Sequence, residues 1–191
     1  FTLLQGFHAQ HPLRSGISRE ELRVRLGGVE ERVFAHLLGS LEAESGVRAE
    51  RDKVRLATYE IRLSAEQQAQ VERLEADFRT TGAAPPSPEE ALAHLGISGS
   101  EDHELFQLLV EDRRLVRAKE SLFFHSEALR EIEGRLVAFL KEKKAITPGD
   151  FKDLFGISRK YAIPLLEYFD SQRVTVRAGD HRVLRGGGSG N

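Results

Sequence analysis

The chain has 191 residues and a formal net charge of −2, with 40% hydrophobic and 30% charged residues, enough for one medium domain or two to three small ones. No segment approaches the run of about 18 apolar residues that a membrane-spanning helix needs, so we expect no membrane partner. The absence of cysteine excludes disulfides, thiolate zinc sites and a cysteine nucleophile, and it fits a reducing compartment.

The first third of the chain predicts helices followed by a β-hairpin. Apolar periodicity favours helices over residues 2–10, 19–26 and 30–44. The hairpin begins at the tripeptide Val-Arg-Ala (residues 47–49), and the apolar stretch KVRLA follows after a short polar turn.

The middle third repeats this order. Helices are predicted over residues 65–80, 88–95 and 101–113, and the linker GAAPPS separates the first two. A second Val-Arg-Ala at residues 116–118 then begins a hairpin. A third copy at residues 176–178 has the same context on both sides, and spacings of 69 and 60 residues indicate an internal repeat.

The last third shows the pattern most clearly. A long amphipathic helix is predicted over residues 126–144, and the segment AITPGDFKDLFG after it begins with a short extended piece. Thr147 is predicted to cap a short helix that ends at Gly156, and Ser158 to cap the helix after it. A hairpin with its tip at residues 178–180 completes the repeat.

The order helix, short strand, helix, helix, hairpin is that of a winged-helix domain. We therefore predict a mainly α protein with small β-hairpins, built as three tandem winged-helix domains. The predicted domains cover residues 1–63, 64–125 and 126–185, and residues 186–191 are predicted to form a flexible tail.

Motifs of common enzyme classes are absent from the sequence. It contains no GxxxxGK[ST] phosphate loop and no GxGxxG, HExxH or GxSxG motif. The seven histidines are scattered, and the closely spaced His8 and His11 have no third metal ligand nearby. We expect no catalytic residue, no metal and no cofactor in this chain.

The C-terminal end carries a surplus of positive charge. From Ile157 to Arg185 there are six basic and three acidic residues, a local charge of +3 that leaves −5 for the rest of the chain. A basic end on an acidic body suggests a polyanion partner. In the first two repeats the equivalent helices are acidic or mixed, which indicates spacers or protein-facing modules.

Two features of the helix after Ser158 oppose its stability. Arg159 and Lys160 put cations at the positive end of the helix dipole, at a cost on the order of 0.3–1 kcal/mol each. Pro164 removes the hydrogen bond to the Lys160 carbonyl, at roughly 3 kcal/mol in an unkinked helix. A bound phosphate would turn the two charge penalties into attractions. Nucleic acid, a protein partner and a merely solvated basic face all stay open at this point.

Three segments of the chain carry a family resemblance. They are SRKYAIPLLEYFD (158–170), TVRAGDHRVL (175–184) and FHAQHPLRSGISREELR (7–23). Together with the three winged-helix repeats, they resemble the C-terminal part of the bacterial selenocysteine-specific elongation factors, the SelB family. In that family an EF-Tu-like GTPase precedes a row of winged-helix domains. The last of these binds the SECIS hairpin of selenoprotein mRNA and holds the factor beside a UGA codon for selenocysteine incorporation.

The resemblance implies that this chain is a non-enzymatic region of such a factor, without the GTPase. Its direct partner would be the SECIS hairpin, and the ribosome and selenocysteyl-tRNA would be bound only through the full-length factor. GTP would belong to the absent GTPase domain, and no cofactor to this chain. The implied state is a cytoplasmic monomer with no membrane contact.

The resemblance also implies an RNA-binding surface on the last domain. Its residues, first at the helix start and then on the hairpin, would be Arg159, Lys160, Tyr161, Arg173, Arg177, His181 and Arg182. Cations suit the phosphates of an RNA hairpin, and an aromatic ring suits a splayed loop base. Tyr161 is expected either to stack on such a base or to form half-buried core. Duplex DNA binding by a transcription regulator and a protein-interaction scaffold remain the alternative functions.

Overall fold

The computed structural model describes residues 1–97 and 102–186, which divide into two compact units. The first unit comprises Phe1–Gln68, and the second begins at Ala69. The predicted helix start at residue 101 and the predicted tail from residue 187 onward lie outside the described residues. Within the described ranges, no helix is long and apolar enough to cross a membrane.

The first unit contains one winged helix in the predicted order. Its elements are α1 (Thr2–Gln10), β1 (Ile17–Ser18), α2 (Arg19–Arg25), α3 (Glu31–Ala43), β2 (Val47–Glu50) and β3 (Lys53–Leu56). Both β1 and β2 pair with β3 in antiparallel fashion, so Val54 lies opposite Ile17 on one side and Ala49 on the other. Phe7 of α1 and Phe34 of α3 are buried in one apolar cluster with this sheet. Their burial removes apolar surface from water, which stabilises the unit.

The remaining elements repeat the order twice. They are α4 (Ala65–Thr81), α5 (Pro88–His94), α6 (Asp102–Glu111), β4 (Leu115–Lys119), β5 (Leu122–His125), α7 (Ser126–Lys143), α8 (Pro148–Phe155), α9 (Arg159–Ser171), β6 (Thr175–Ala178) and β7 (His181–Leu184). β4 pairs with β5 and β6 with β7, each antiparallel. In the last repeat Ile146 takes the place of a short first strand by bridging Arg182 of β7. The predicted fold class, mainly α with small hairpins in three tandem winged helices, is confirmed.

The hydrophobic core of the last winged helix extends onto the hairpin of the middle one. Phe124 of β5 is fully buried in the same cluster as Leu136 of α7 and Leu166 and Phe169 of α9. β5 also runs into α7 with no residue between them. The predicted boundary after residue 125 stays a prediction, and the apolar cluster of the last winged helix extends across it through Phe124.

A buried polar cluster lies at the junction of β5 and α7. The ring of His125 is 1% exposed and accepts a hydrogen bond at Nδ1 from the Glu127 backbone N–H (3.2 Å), which caps α7. His125 Nε2 lies 3.2 Å from Glu75 Oε1, and Glu75 also pairs with Arg79 and Arg114. Burial lowers the pKa of His125. Because Nδ1 accepts a hydrogen bond, the proton of a neutral ring lies on Nε2 and points to Glu75.

The three Val-Arg-Ala copies lie in two different strand registers. β2 begins at Val47, which is buried, whereas β4 and β6 begin at the buried residues Leu115 and Thr175. The valines of the two later tripeptides come one position further along, and Val176 is 45% exposed. Because strand side chains alternate between faces, this one-residue shift exchanges the buried and exposed sides. The structural repeat therefore aligns Val47 with Leu115 and Thr175, one residue away from the tripeptide match.

Candidate nucleic-acid interface

Helix α9 follows a short helix whose two ends are both well defined. The Asp150 N–H donates to the Thr147 hydroxyl (3.1 Å), and the Asp150 carboxylate accepts from the Thr147 N–H (2.9 Å). Hydrogen bonds from the Thr147 side chain and backbone lower the pKa of Asp150. At the other end Gly156 stops α8 in the left-handed conformation, at a φ of 65°. The predicted cap at Thr147 and the predicted stop at Gly156 are confirmed.

The two sides of α9 differ in chemistry. Its predicted apolar side is fully buried and consists of Ala162, Leu165, Leu166 and Phe169. Arg159 and Lys160 are exposed, and the first turn contains no acidic residue. Ser158 lies at the N-cap as predicted, but its side chain makes no capping hydrogen bond. The start of α9 therefore presents the positive end of its dipole and two cations to solvent.

Pro164 is buried inside α9, which continues on both sides of it. Because proline has no N–H, the Lys160 carbonyl lacks its usual helical donor. Both residues line an open cavity of about 290 Å³, together with Pro85 and with Leu122 of β5. Burial of the proline ring within the unit stabilises it at this position and works against the helical penalty.

Lys160 and Tyr161 interact with each other. Lys160 Nζ lies 5.2 Å from the centroid of the Tyr161 ring, within the range of a cation–π contact. The ring is half-buried and packs against the shared core, so the structure favours the core alternative over an open stacking surface. The Ser87 backbone N–H lowers the pKa of Glu90 through a hydrogen bond, and Lys160 adds to this effect from nearby.

The wing formed by β6 and β7 exposes two further arginines. Arg173 lies two residues before β6 in the left-handed conformation, at a φ of 62°, and its side chain is exposed. Arg177 is also exposed, and its Nε donates to the Gly179 carbonyl in the turn (3.1 Å). His181 lies directly opposite Ala178 and is half-buried. Each of these three side chains thus has at least part of its surface accessible to a partner.

Arg182 does not belong to the accessible part of the wing. It is 5% exposed, and its Nε donates to Asp170 Oδ2 at the end of α9 (3.1 Å). Its backbone N–H and carbonyl pair with the carbonyl and N–H of Ile146 (2.9 and 3.0 Å). The expected place of Arg182 on the cationic surface is therefore corrected. The side chain packs against Asp170 at the end of α9, so it points into the domain instead of into solvent.

The residues that hold Arg182 were missed by sequence reasoning. Asp170 and Thr175 make side-chain contacts at the base of the wing, and Ile146 makes the backbone bridge. One signal was available, because Thr175 occupies the first strand position, where Val47 and Leu115 are apolar. A buried hydroxyl at an otherwise apolar position needs a hydrogen-bond partner, and here the partner is Asp170.

Metal chemistry finds no support in the described ranges 1–97 and 102–186. No group of three or more His, Asp or Glu side chains there is arranged to hold a metal ion.

Two sequence-family models match the chain. Both are described as the winged helix of elongation factor SelB, one for the second and one for the third winged helix of that factor. The model of the second winged helix matches residues 1–56, and the model of the third matches residues 138–184.

Curated relatives match over almost the whole chain. A selenocysteine-specific elongation factor of Desulfomicrobium baculatum is 32% identical over 183 residues, which is 95% of this chain. The corresponding factor of Escherichia coli K12 is 26% identical over 190 residues, again 95% of this chain. The chain spans only 29% of the length of each of these relatives.

Two solved structures share the fold. One is the mRNA-binding domain of elongation factor SelB from E. coli in complex with SECIS RNA, with a TM-score of 0.53 and 24% identity, covering 64% of this chain and 99% of that one. The other is a bacterial selenocysteine-specific elongation factor, EF-Sec, with a TM-score of 0.53 and 19% identity, covering 96% of this chain and 28% of that one. At these identities the likeness establishes the winged-helix architecture.

Proposed function

This chain belongs to the SelB family of selenocysteine-specific elongation factors, and we propose that its last winged helix binds the SECIS hairpin of selenoprotein mRNA. The observation that carries the proposal is the start of α9. Two exposed cations stand there beside uncapped backbone N–H groups, with no acidic residue in the first turn. A phosphate is the ligand that both the helix dipole and the side chains favour.

The proposed RNA contacts follow from accessibility. Arg159 and Lys160 would contact phosphates at the helix start, and Arg173 and Arg177 would do so from the wing. His181 and Tyr161 are half-buried, so each would offer RNA an edge instead of a full face. Arg182 is excluded from the contact set because it is buried against Asp170.

The wider role is that of the mRNA-binding region of a larger factor, without catalytic activity of its own. In this proposal GTP, selenocysteyl-tRNA and the ribosome are bound by the full-length factor in the cytoplasm. The chain itself acts as a monomer and needs no cofactor. The first two winged helices carry no comparable pair of cations at the start of α3 or α6.

A fluorescence titration of the whole chain with a labelled SECIS hairpin tests the proposal. With four cationic contacts, log K should fall with log salt concentration at a slope of about −3, from ~0.7–0.9 per phosphate. A duplex DNA of equal length serves as the competitor. Preference for the duplex would support the transcription-regulator alternative, and no nucleic-acid binding at low salt would support the scaffold alternative. Either outcome would overturn the proposed function.

A further inference from the structure

Asp170 connects the end of α9 to both strands of the wing. Its Oδ1 accepts a hydrogen bond from the Thr175 hydroxyl at 2.6 Å, and its Oδ2 accepts one from Arg182 Nε at 3.1 Å. Thr175 begins β6 and Arg182 lies in β7. A single carboxylate therefore links the end of the helix to both wing strands.

The two partners of the carboxylate are shielded from water. Thr175 is 1% exposed and Arg182 is 5% exposed, whereas the Asp170 side chain is 25% exposed, so solvent screens these interactions only in part. The Arg182 backbone is tied in turn to Ile146, just before α8, by two hydrogen bonds of 2.9 and 3.0 Å. Loss of the carboxylate would leave a buried guanidinium unpaired, which the domain can relieve only by moving the wing or the side chain.

Asp170 also offsets a charge conflict inside the wing. Arg177 and Arg182 are directly opposite each other in the β6–β7 ladder. Like charges at directly opposed positions repel and weaken a strand pair. Because Asp170 neutralises the buried Arg182, the exposed Arg177 can hold its position on the outer strand.

We propose that Asp170 is a positioning residue for RNA binding, which fixes the wing so that Arg173 and Arg177 contact the RNA together with the start of α9. Since those arginines belong to the RNA-binding surface described above, this role rests on the proposed function. Charge alone predicts the reverse effect. A carboxylate near the RNA repels phosphates, so its removal should strengthen binding if Asp170 acted only through its charge.

The test compares Asp170→Asn with Glu167→Gln in titrations of the whole chain with the labelled SECIS hairpin. Glu167 lies on the same helix, three residues earlier, and is exposed, with its carboxylate 3.5 Å from Lys119 Nζ of β4. Each substitution removes one negative charge, but only Asp170→Asn changes a side chain that contacts the wing. We expect Asp170→Asn to weaken binding about tenfold and to flatten the salt slope by about 1.5, the share of two phosphate contacts. Glu167→Gln should leave affinity unchanged or raise it.

A double-mutant cycle separates positioning from general loss of structure. Arg177→Ala should weaken binding about tenfold in the wild-type background, but less than about twofold in the Asp170→Asn background. Amide hydrogen exchange of the Arg182 N–H, which is bonded to the Ile146 carbonyl, reports the wing directly. That amide should exchange faster in Asp170→Asn, while the buried amides of α9 stay protected.

Thr175→Val provides a second variant for the case in which Asp170→Asn does not fold. It keeps the Asp170–Arg182 ion pair and removes only the hydroxyl donor, and it should weaken RNA binding about threefold. Unchanged or tighter binding by the folded Asp170→Asn variant would overturn the positioning role alone. So would an unchanged affinity in Thr175→Val. A wild-type chain that does not bind the hairpin would overturn both the proposed function and this role.

Discussion

The first and last winged helices have the same order of elements but opposite surface chemistry. Helices α3 and α9 both contain 13 residues and both precede the wing of their domain. α3 begins with an acidic residue, Glu31, which suits the helix dipole, and it exposes Val33 and Leu37, each at 47%. α9 begins with two cations and buries its apolar side completely. The shared fold therefore does not decide the partner, and in the proposed function the residues at the helix start do.

The two winged helices also differ in how they complete a core. The first has its own cluster of buried side chains, from Leu4 to Val54, within one compact unit. The last shares its cluster with Phe124 and with half-buried side chains of the β4–β5 hairpin. The middle module thus supports the domain that is proposed to bind RNA, whatever else it contacts.

The largest effect is expected from Phe124→Ala. Phe124 is fully buried in the shared core, and truncation of such a side chain costs about 3–5 kcal/mol. Chemical denaturation should show the second unit destabilised by this amount, with the first unit unaffected. Phe34→Ala is the matched control, because it should destabilise only the first unit. An equally stable second unit in Phe124→Ala would mean that the last module completes its core alone.

The next effect concerns RNA affinity. Replacing Arg159 and Lys160 together by Ala should weaken SECIS binding by about 2–4 kcal/mol, from roughly 1–2 kcal/mol for each partly screened contact. The melting temperature should stay the same or rise, because two cations leave the positive end of the dipole. Arg32→Ala, at the second residue of α3, is the control and should not change affinity. If the control reduced affinity as much as the double substitution, the contrast between α3 and α9 would fail.

A smaller effect separates the two helix caps of the last domain. Thr147→Ala removes a capping box and should destabilise the second unit by about 1 kcal/mol. Ser158→Ala removes a side chain that makes no capping hydrogen bond, so stability should not change. Thermal melts of the two variants measure the difference. Equal destabilisation by both would show that Ser158 does cap α9 in solution.

The smallest expected effect is a loss of stability at low pH, and it has the same cause in both units. Burial lowers the pKa of His8 in the first unit and of His125 in the second below the ordinary value of 6.5. Below pH 6.5 these histidines bind protons in the unfolded chain that they do not bind in the folded chain. The two histidines therefore do not reduce the free energy of unfolding above pH 6.5, and they reduce it as the pH drops. Melts at pH 7.5 and 5.5 measure the loss, which His125→Gln should reduce in the second unit only. If the His125→Gln variant lost as much stability as the wild type, the loss would come from other titratable groups.

Much of this architecture was readable from local pattern. Apolar periodicity, Thr147 and Gly156 marked the helices to within about two residues, because these signals act over a few neighbouring positions. The exposed pair Arg159 and Lys160 was also readable, since a cation at a helix start has no local stabilising role. The buried position of Arg182 was not readable. It depends on which wing strand lies inside and on Asp170, twelve residues away, and alternation along a strand does not say which face is covered.

The direct passage from β5 into α7 has a mechanical consequence. His125 ends the strand and Ser126 begins the helix, so no loop residue separates the two elements. In the proposed function, a bound messenger that pulls on the last winged helix would load the preceding hairpin directly, and the force would reach α4 through the Glu75 carboxylate. The two modules would then act as a single stiff arm under tension.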